Sequence, residues 1–505
     1  MASLTDVEPA PSGADGDRSS PDLAGSRFRR ACTLRGALAV TALGALLPGA
    51  GLVWTGRRLG WLLVLPSIAA MVLTGLFLSD VEAMVELALD PGRLRPAAAV
   101  AGAVFLLWAV VVVTTYILVR PRDLSPARKV LGGVLVIVLC GLVAAPVALG
   151  ARYAITQADL VSTLFEGNTS ATAPRDVTPV DPWGGRHRVS ILMLGSDASP
   201  TRDGVRTDTV VLLTINTRTG RSTMFSLPRN MMNAQFPEGS PLHDLYPEGF
   251  RGDGDDAAYM LNAVYGQVPA LHPGALGRSR NEGADAIKQA VAGSLGTRVD
   301  YYVLVDLQGF QRLVDAVGGV RVNINEPVPI GGDTDLGIPP EDYLQPGPDQ
   351  QLDGFHAMWF SRGRYGSTDY QRMLRQRCML DALIAKAEPL NLIRRYERLA
   401  AAGKRTVQTD IPRDLLPAFV DLAGKVKDRK IRSVAFVSSP EFFSGDPDFE
   451  WMRSVVDRAL EPPRARREGV PEDPPADDST QEDEGEEDPG AAVDVVDQCG
   501  YQPEE

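Results

Sequence analysis

Three long uncharged apolar runs constrain this chain more than any other feature of its sequence. They cover residues 59–79, 97–119 and 130–151, and none of them contains a charged side chain. A helix needs about 20 apolar residues to cross a bilayer core of roughly 30 Å, and each run meets that length. The sequence therefore predicts an α-helical transmembrane region over residues 36–151, which excludes a plain cytosolic enzyme.

The charges that flank these runs predict the orientation of the chain. The loop at 120–129 is basic, whereas the loop at 80–96 is more acidic than basic. Because basic loops remain in the cytoplasm, we expect 120–129 inside and 80–96 outside, with residues 152–505 also outside. A fourth run, 36–56, is broken at Pro48 and is predicted as a re-entrant or interfacial hairpin. If it spans the membrane instead, the large domain is cytoplasmic or the basic N-terminus lies outside.

The net charge of −13 comes entirely from the end of the chain. Residues 461–505 contain sixteen acidic and three basic side chains, whereas residues 1–460 are balanced. Such a composition predicts a disordered acidic tail. The predicted segments are then a cytoplasmic N-terminus (1–35), the transmembrane region (36–151), a stalk (152–184), a catalytic domain (185–440), a C-terminal extension (441–460) and the acidic tail (461–505).

The segment after residue 188 has the pattern of a folded domain. RVSILMLGSD and TDTVVLLTIN are rich in branched residues and predict strands, and the helix-like stretches 284–295, 307–316, 369–388 and 412–424 interleave with further strands. Alternating strands and helices favour a layered α/β domain.

Two carboxylates stand where two predicted strands meet. Asp197 ends the first strand and Asp208 begins the second, so neighbouring strands would bring them together. Two close carboxylates suit a hard divalent cation, which prefers oxygen ligands and keeps several waters. The alternative is that both are turn residues of a hairpin, a position that Asp favours.

A predicted helix beginning at Asp369 carries unusual arginines on its apolar side. Arg372, Arg375 and Gln376 share one helix face, which continues into apolar residues. Unpaired buried charge is costly, so such arginines need an anion, and the planar fork of Arg suits phosphate. The alternatives are a solvated basic face or an ion pair with Asp369. Arg229 follows a predicted strand, and by itself it does not indicate whether a binding site is present.

Several other classes of protein are excluded by missing motifs. The sequence has no phosphate-binding GxxxxGK[ST] loop, no dinucleotide-binding GxGxxG, no GxSxG elbow and no HExxH metal motif. An external domain without a charge excess also disfavours nucleic acid as a partner. On the predicted topology Cys378 and Cys499 are both external, where disulfides persist, and a bond between them is a hypothesis.

Seven stretches together resemble the LytR–CpsA–Psr family of cell-wall glycopolymer ligases. They occur in the family's order over roughly residues 188–385: ILMLGSD, RTDTVVLLTI, FSLPRN, LNAVY, YYVLVDLQGFQRLVDAVGGVRVNI, LDGFHAMWFSRGR and STDYQRMLRQR. The resemblance implies a three-layer α/β/α sandwich with a mixed central sheet and an apolar pocket for a prenyl chain. Phe310, Leu313 and Val314, with strand 303–305, are candidates to line that pocket.

The resemblance also implies an activity and its residues. Such enzymes transfer a glycopolymer from a polyprenyl-pyrophosphate carrier to peptidoglycan, at the C6 hydroxyl of N-acetylmuramic acid, through a phosphodiester. Asp197 and Asp208 would hold Mg²⁺ or Mn²⁺, and Asp369 would orient or deprotonate the hydroxyl, with Arg206 and Arg372 completing the catalytic set. The expected pyrophosphate-binding residues are Arg229, Arg362, Arg364, Arg372, Arg375 and Gln376.

Two departures from the family pattern affect these expectations. Asn230 follows Arg229 where the family usually has Asp, and Met260 stands where it usually has Lys. Two alternative functions use the same residues: a hydrolase that transfers the lipid-linked glycan to water, and a non-catalytic regulator that senses lipid phosphates. The expected partners are the lipid-linked donor, peptidoglycan and membrane lipid, with the protein in the cell membrane as a multi-pass protein and its catalytic domain extracytoplasmic.

Overall fold

The structure, a computed structural model, describes residues 29–165, 169–197, 205–332, 337–386, 398, 400–403, 407–427, 429–461 and 492–502. The chain forms two compact units. One contains Met1–Val81 and Ala99–Ala151, and the other contains Glu82–Ala98 and Arg152–Glu505.

The first part of the chain is helical and largely apolar. Its helices are α1 (Leu34–Leu46), α2 (Ala50–Trp54), α3 (Trp61–Ser79), α4 (Val81–Leu89), α5 (Pro91–Val119) and α6 (Pro126–Phe165). Three stretches, Arg58–Phe77, Pro91–Val119 and Pro126–Phe165, are long and apolar enough to cross a membrane. Large apolar side chains such as Leu106 and Ile137 are exposed on them, as expected for helices that face lipid.

The run 36–56 forms a broken helix. α1 has 13 residues, fewer than the roughly 20 that cross a bilayer, and the chain turns at Gly49, whose φ of 97° favours glycine. α2 then packs closely on α5, since a Cβ at Gly51 would lie 2.2 Å from Thr115 Cγ2. The structure thus shows two short helices within residues 36–56, and the re-entrant or interfacial position of this run stays a prediction.

The second unit is built on a mixed seven-stranded sheet. Its strands and the two small ribbons are β1 (Arg188–Ser196), β2 (Thr207–Asn216), β3 (Ser222–Leu227), β4 (Tyr301–Asp306), β5 (Val320–Ile324), β6 (Val328–Ile330), β7 (Asp342–Leu344), β8 (Gly347–Leu352), β9 (Val407–Thr409), β10 (Arg432–Ala435) and β11 (Val493–Asp494). The sheet order is β11-β10-β3-β2-β1-β4-β9, with β1–β4 and β3–β10 parallel. β5 pairs with β8 and β6 with β7 outside this sheet.

Helices cover both faces of the sheet. They are α7 (Pro241–Leu245), α8 (Val264–Leu271), α9 (Glu282–Leu295), α10 (Leu307–Val317), α11 (Gly354–Arg362), α12 (Asp369–Lys386), α13 (Leu416–Lys427), α14 (Phe449–Leu460) and α15 (Val495–Gln498). Leu212 of β2 joins a core with α8, α9 and α14, whereas its neighbour Val211 joins a second core with α13. This is the expected α/β fold, a three-layer α/β/α sandwich with a mixed central sheet.

The stalk prediction needs refinement at both of its ends. Residues 152–165 continue α6, and the segment that begins at residue 169 binds the domain. The buried carboxylate of Asp285 accepts hydrogen bonds from the Thr172 hydroxyl at 2.6 Å and the Ala171 amide at 2.9 Å. Asp285 thus anchors the chain to α9.

The prediction of a disordered tail over residues 461–505 is wrong for its end. β11 pairs with β10, and Cys499 forms a disulfide with Cys378 of α12. Residues 492–496 (AVDVV) are mostly apolar, but the acidic composition of the whole segment hid this signal. Residues 462–491 lie outside the described residues. Likewise 441–460 is more than an extension, because α14 contributes Met452 and Val455 to the core.

Candidate active site

The candidate site lies at the end of the sheet where β1, β3 and β4 finish and β2 begins. Asp197 follows β1 directly and Asp208 is the second residue of β2; the two strands are antiparallel neighbours in which Ser196 pairs with Thr207. Asp197 is buried, and its carboxylate accepts a hydrogen bond from the Arg206 amide at 3.2 Å. Both carboxylates line one cavity.

This cavity has a volume of about 520 Å³ and a largely apolar lining. Phe310, Leu313, Val303 and Val305 line it as expected. Val314 does not, because it is fully buried in the core around the β5–β8 ribbon. The charged and amide side chains of the lining are Asp197, Asp208, Asp306, Arg362, Arg372, Gln376 and Arg377.

Beside the cavity, two aspartates and two arginines form a continuous ion-pair network. Arg229 Nη1 lies 2.6 Å from Asp208 Oδ1, and Arg229 Nε lies 3.4 Å from Asp369 Oδ1. Arg372 Nη2 lies 2.9 Å from the same Asp369 oxygen and donates to the Asp208 carbonyl at 3.4 Å. The network therefore joins β2, the end of β3 and the first turn of α12.

Burial and ion pairing have opposite effects on the pKa values of the side chains in this network. Burial alone would raise the pKa of Asp208, but the charge and hydrogen bond of Arg229 lower it below its ordinary value. The carboxylate is therefore ionised at neutral pH, and its contribution to stability is lost only as the pH falls through that lowered pKa. Burial lowers the pKa of Arg372 to about 10, against the opposing charge of Asp369.

Arg372 is the cation best placed to bind an anion in the cavity. It is 3% exposed, it lines the cavity, and its Nε has no hydrogen-bond partner among the described residues. Arg362 and Gln376 line the same cavity, with Arg362 5.7 Å above the Trp359 ring and the Gln376 amide donating to the Ser361 carbonyl at 3.2 Å. Arg364 is close enough for its charge to lower the pKa of Arg372.

The structure does not bring Arg375 to this cavity. Its Nε donates to the Phe360 carbonyl at 2.9 Å, and its Nη2 donates to the Gly363 carbonyl. A cation beside the final carbonyls of a helix satisfies groups that the helix leaves unpaired. Arg375 therefore caps α11, and its placement does not support a role in pyrophosphate binding.

Sequence reasoning missed Arg377, which lines the cavity from α12. Arg377 is 5% exposed, and Nη1 donates to the Ser433 hydroxyl at 2.9 Å. Burial lowers its pKa to about 10. The sequence did contain a signal for the position of Arg377, because Met373, Arg377 and Leu380 recur at helical spacing along one face of α12.

Asn230, one of the two departures from the family pattern, has a hydrogen-bond partner in the structure. Asn230 Nδ2 donates to the Ser444 hydroxyl at 3.2 Å, so this side chain connects the end of β3 to the segment before α14. Asn262, in the LNAVY stretch, places Nδ2 3.5 Å from Asp208 Oδ1. Nothing in the structure assigns a role to Met260.

The carboxylates at the cavity meet part of what a divalent cation requires. No group of three or more His, Cys, Asp or Glu side chains that could hold a metal occurs among the described residues. Two carboxylates do line one cavity next to several arginines. This set fits Mg²⁺ or Mn²⁺ in the mode in which one or two carboxylates, water and substrate phosphates complete the coordination.

Several known proteins are similar to part of this chain. A model described as the LytR_cpsA_psr family matches residues 156–448. The chain is 30% identical over 230 residues to Biofilm regulatory protein A of Streptococcus mutans, covering 44% of this chain and 50% of that protein. It is 28% identical over 258 residues to the polyisoprenyl-teichoic acid–peptidoglycan teichoic acid transferase TagU of Enterococcus faecalis, covering 49% and 71%.

A TagU of Bacillus cereus is 28% identical over 228 residues, covering 45% of this chain and 61% of its own. The matches thus span from half to about seven tenths of these relatives' length. Among solved structures, protein gbs0355 of Streptococcus agalactiae is 27% identical with a TM-score of 0.37, covering 49% of this chain and 76% of its own. B. subtilis TagV is 22% identical with a TM-score of 0.37, covering 54% and 97%.

Proposed function

This chain belongs to the LytR–CpsA–Psr family, and we propose that it is a phosphotransferase that joins a lipid-linked glycopolymer to peptidoglycan. The names of its relatives support this reading, since the TagU proteins are described as polyisoprenyl-teichoic acid–peptidoglycan transferases. The donor is a glycopolymer on polyprenyl pyrophosphate. The acceptor is the C6 hydroxyl of N-acetylmuramic acid, and the product is a phosphodiester.

One observation carries the proposal, namely the mixed character of the 520 Å³ cavity. Its apolar side chains suit a hydrocarbon chain, and its arginines suit the charged head of the same molecule. A polyprenyl pyrophosphate combines these two properties. Arg372, buried and incompletely paired, gains a partner when a pyrophosphate oxygen enters.

The residues of the chain perform a phosphoryl transfer mainly by positioning and by neutralising charge. The acceptor hydroxyl oxygen attacks the phosphorus that bears the sugar, and its proton passes to the Asp369 carboxylate. The bond from that phosphorus to the bridging oxygen breaks, and polyprenyl phosphate leaves. Arg372, Arg362 and Gln376 bind the phosphate oxygens. Arg229 forms ion pairs with both Asp208 and Asp369 and so fixes the positions of the two carboxylates.

Asp197 and Asp208 are the residues that would hold Mg²⁺ or Mn²⁺. When bound there, the metal would neutralise negative charge on the pyrophosphate. The two carboxylates keep their place without it, because Asp197 is bound by the Arg206 amide and Asp208 by Arg229.

We further propose that the catalytic domain is extracytoplasmic. The basic loop 120–129 supports this orientation by the positive-inside rule. Residues 82–98 belong to the same compact unit as residues 152–505, as expected if both lie on one side of the membrane. Peptidoglycan, the proposed acceptor, is on that side.

The test uses the full-length protein in detergent with a polyprenyl-pyrophosphate-linked sugar, peptidoglycan fragments and Mg²⁺, with products identified by mass spectrometry. We expect a glycan joined by a phosphodiester and release of polyprenyl phosphate. Arg372→Gln should lower the rate about a hundredfold, since it removes a buried charge contact to the reacting group. Arg458→Gln, an exposed arginine on α14, is the matched control.

The products decide between the alternatives. Free polymer phosphate without a joined glycan would identify a hydrolase. Tight binding with no turnover, even with acceptor present, would identify a lipid-phosphate sensor. Activity that survives chelation of divalent cations would contradict the proposed metal.

A further inference from the structure

A second cavity, of about 860 Å³, lies at the other end of the central sheet. Its lining comes from the starts of β1, β3 and β10, the end of β2, the loop before β4 and the end of α14. Arg188, which lines the second cavity, lies nine residues before Asp197, which at about 3.3 Å per residue is roughly 30 Å along that strand. It is therefore separate from the candidate active site.

The second cavity is strongly basic. Two carboxylates, Asp300 and Glu461, line it together with Thr, Ser and Asn side chains and His187. The cavity is also lined by six arginines from four separate segments of the chain: Arg186, Arg188, Arg218, Arg221, Arg298 and Arg432.

The arginines are unequally paired. Arg298 Nε lies 3.5 Å from Asp300 Oδ1, which is also 4.0 Å from Arg186 Nε. Arg218 and Arg221 have no carboxylate within 4.0 Å in the part of the chain that the structure describes. Burial, and then the charge of Arg221, lower the pKa of Arg432. The β2–β3 turn therefore presents positive charge that an anion would stabilise.

We propose that this cavity is a second binding site for phosphate groups that are presented together on one chain. Arginine forks bind phosphate bidentately, and arginines from several segments match several phosphates at once, whereas a neutral glycan offers them no charge. The inference rests on the proposed function. It implies that the transferred polymer is anionic and is held at a point remote from its pyrophosphate end.

The experiment measures binding of inorganic polyphosphate to the full-length protein in non-ionic detergent, as a function of salt. All measurements are repeated in the Arg372→Gln background, so that binding at the active site is weakened. Arg218→Gln/Arg221→Gln changes two exposed side chains. Arg251→Gln/Arg458→Gln removes the same charge elsewhere and is the matched control.

We expect the Arg218→Gln/Arg221→Gln variant to bind polyphosphate about tenfold more weakly, with a shallower dependence on salt, because fewer counterions are released. The control variant should bind like the parent protein. Equal affinity of the two double variants would overturn the proposal. Orthophosphate binding as tight as polyphosphate binding would also overturn it, because the site would then accept single anions.

The acidic segment 462–491 is the competing occupant, since it continues directly from Glu461 of the cavity and contains eleven carboxylates. Polyphosphate binding that appears only after residues 468–490 are replaced by a neutral linker would mean that this segment fills the cavity, and the proposal would fail. Because no transfer is measured, failure here leaves the transferase test untouched. Loss of transfer in that test likewise leaves this binding measurement valid.

Discussion

Arg372 and Arg375 are one helical turn apart on α12, yet they bind different parts of the protein. Arg375 binds the last carbonyls of α11, and Arg372 lines the active-site cavity. We expect Arg375→Gln to lower the free energy of unfolding by about 2 kcal/mol, because its charge-assisted hydrogen bonds are lost. Pyrophosphate affinity should be retained, as measured by calorimetry on the folded protein.

Arg372→Gln provides the opposite control. It should weaken pyrophosphate binding by at least about tenfold, since a charge-assisted contact is removed. A folded Arg375→Gln protein that cannot bind pyrophosphate would contradict the placement of Arg375 as a helix cap.

These neighbours also show how far single residues could be predicted. The sequence correctly placed Asp197 and Asp208 at adjacent strand ends, because strand pairing follows from two short branched runs. Sequence analysis assigned Arg375 to the site and overlooked Arg377. Which face of α12 lines the cavity depends on the elements that pack against the helix, and the local sequence does not show them. The capping of α11 by Arg375 depends on a contact 15 residues away that no local pattern reveals.

At the level of elements, the α1–α2 hairpin is held by close contact at a glycine. We expect Gly51→Leu to destabilise the protein by roughly 1–3 kcal/mol, because even a Cβ there would lie 2.2 Å from Thr115 Cγ2. The measurement is the thermal stability of the full-length protein in detergent. Gly75→Leu is the control, since nothing lies within 4 Å of a Cβ at that position. Equal stability of both variants would argue against this packing.

Among the strands, length and composition decided which could be predicted. β1 and β2 contain runs of branched residues and were predicted near their observed bounds. β8 reads GPDQQL and was missed, because its strand conformation comes from pairing with β5. β9 and β11 have three and two residues, too few for a periodic signal.

At the scale of the whole chain, the disulfide joins α12 to a residue 121 positions later. Replacing Cys378 and Cys499 by Ser should cost about 2–4 kcal/mol, because a long loop is no longer closed in the unfolded state. Melting curves of the full-length protein with and without reductant check this. Cys32→Ser/Cys140→Ser is the control, since both thiols are free. A reductant-sensitive melting temperature in the Cys378→Ser/Cys499→Ser protein would contradict the expectation.

The architecture of the chain was largely predictable, and the hypothesis of a Cys378–Cys499 disulfide is confirmed, whereas the strand β11 near the C-terminus was not predicted. The apolar runs predicted three membrane-spanning helices, and alternating elements predicted the α/β domain. Composition averaged over residues 461–505 concealed a short ordered segment, because the eleven residues 492–502 weigh little against the sixteen carboxylates of the whole stretch.

Because β11 pairs with β10, truncating the chain before β11 would expose an edge of the central sheet. A stop codon after Leu460 would remove the outermost strand of the sheet together with the acidic residues. It would leave the outer edge of β10 uncovered, with its amide and carbonyl groups open to another molecule. Such bare edges are the usual starting point of chain-to-chain aggregation. An internal deletion that keeps residues 492–505 would leave β11 paired with β10, and the resulting protein would aggregate less.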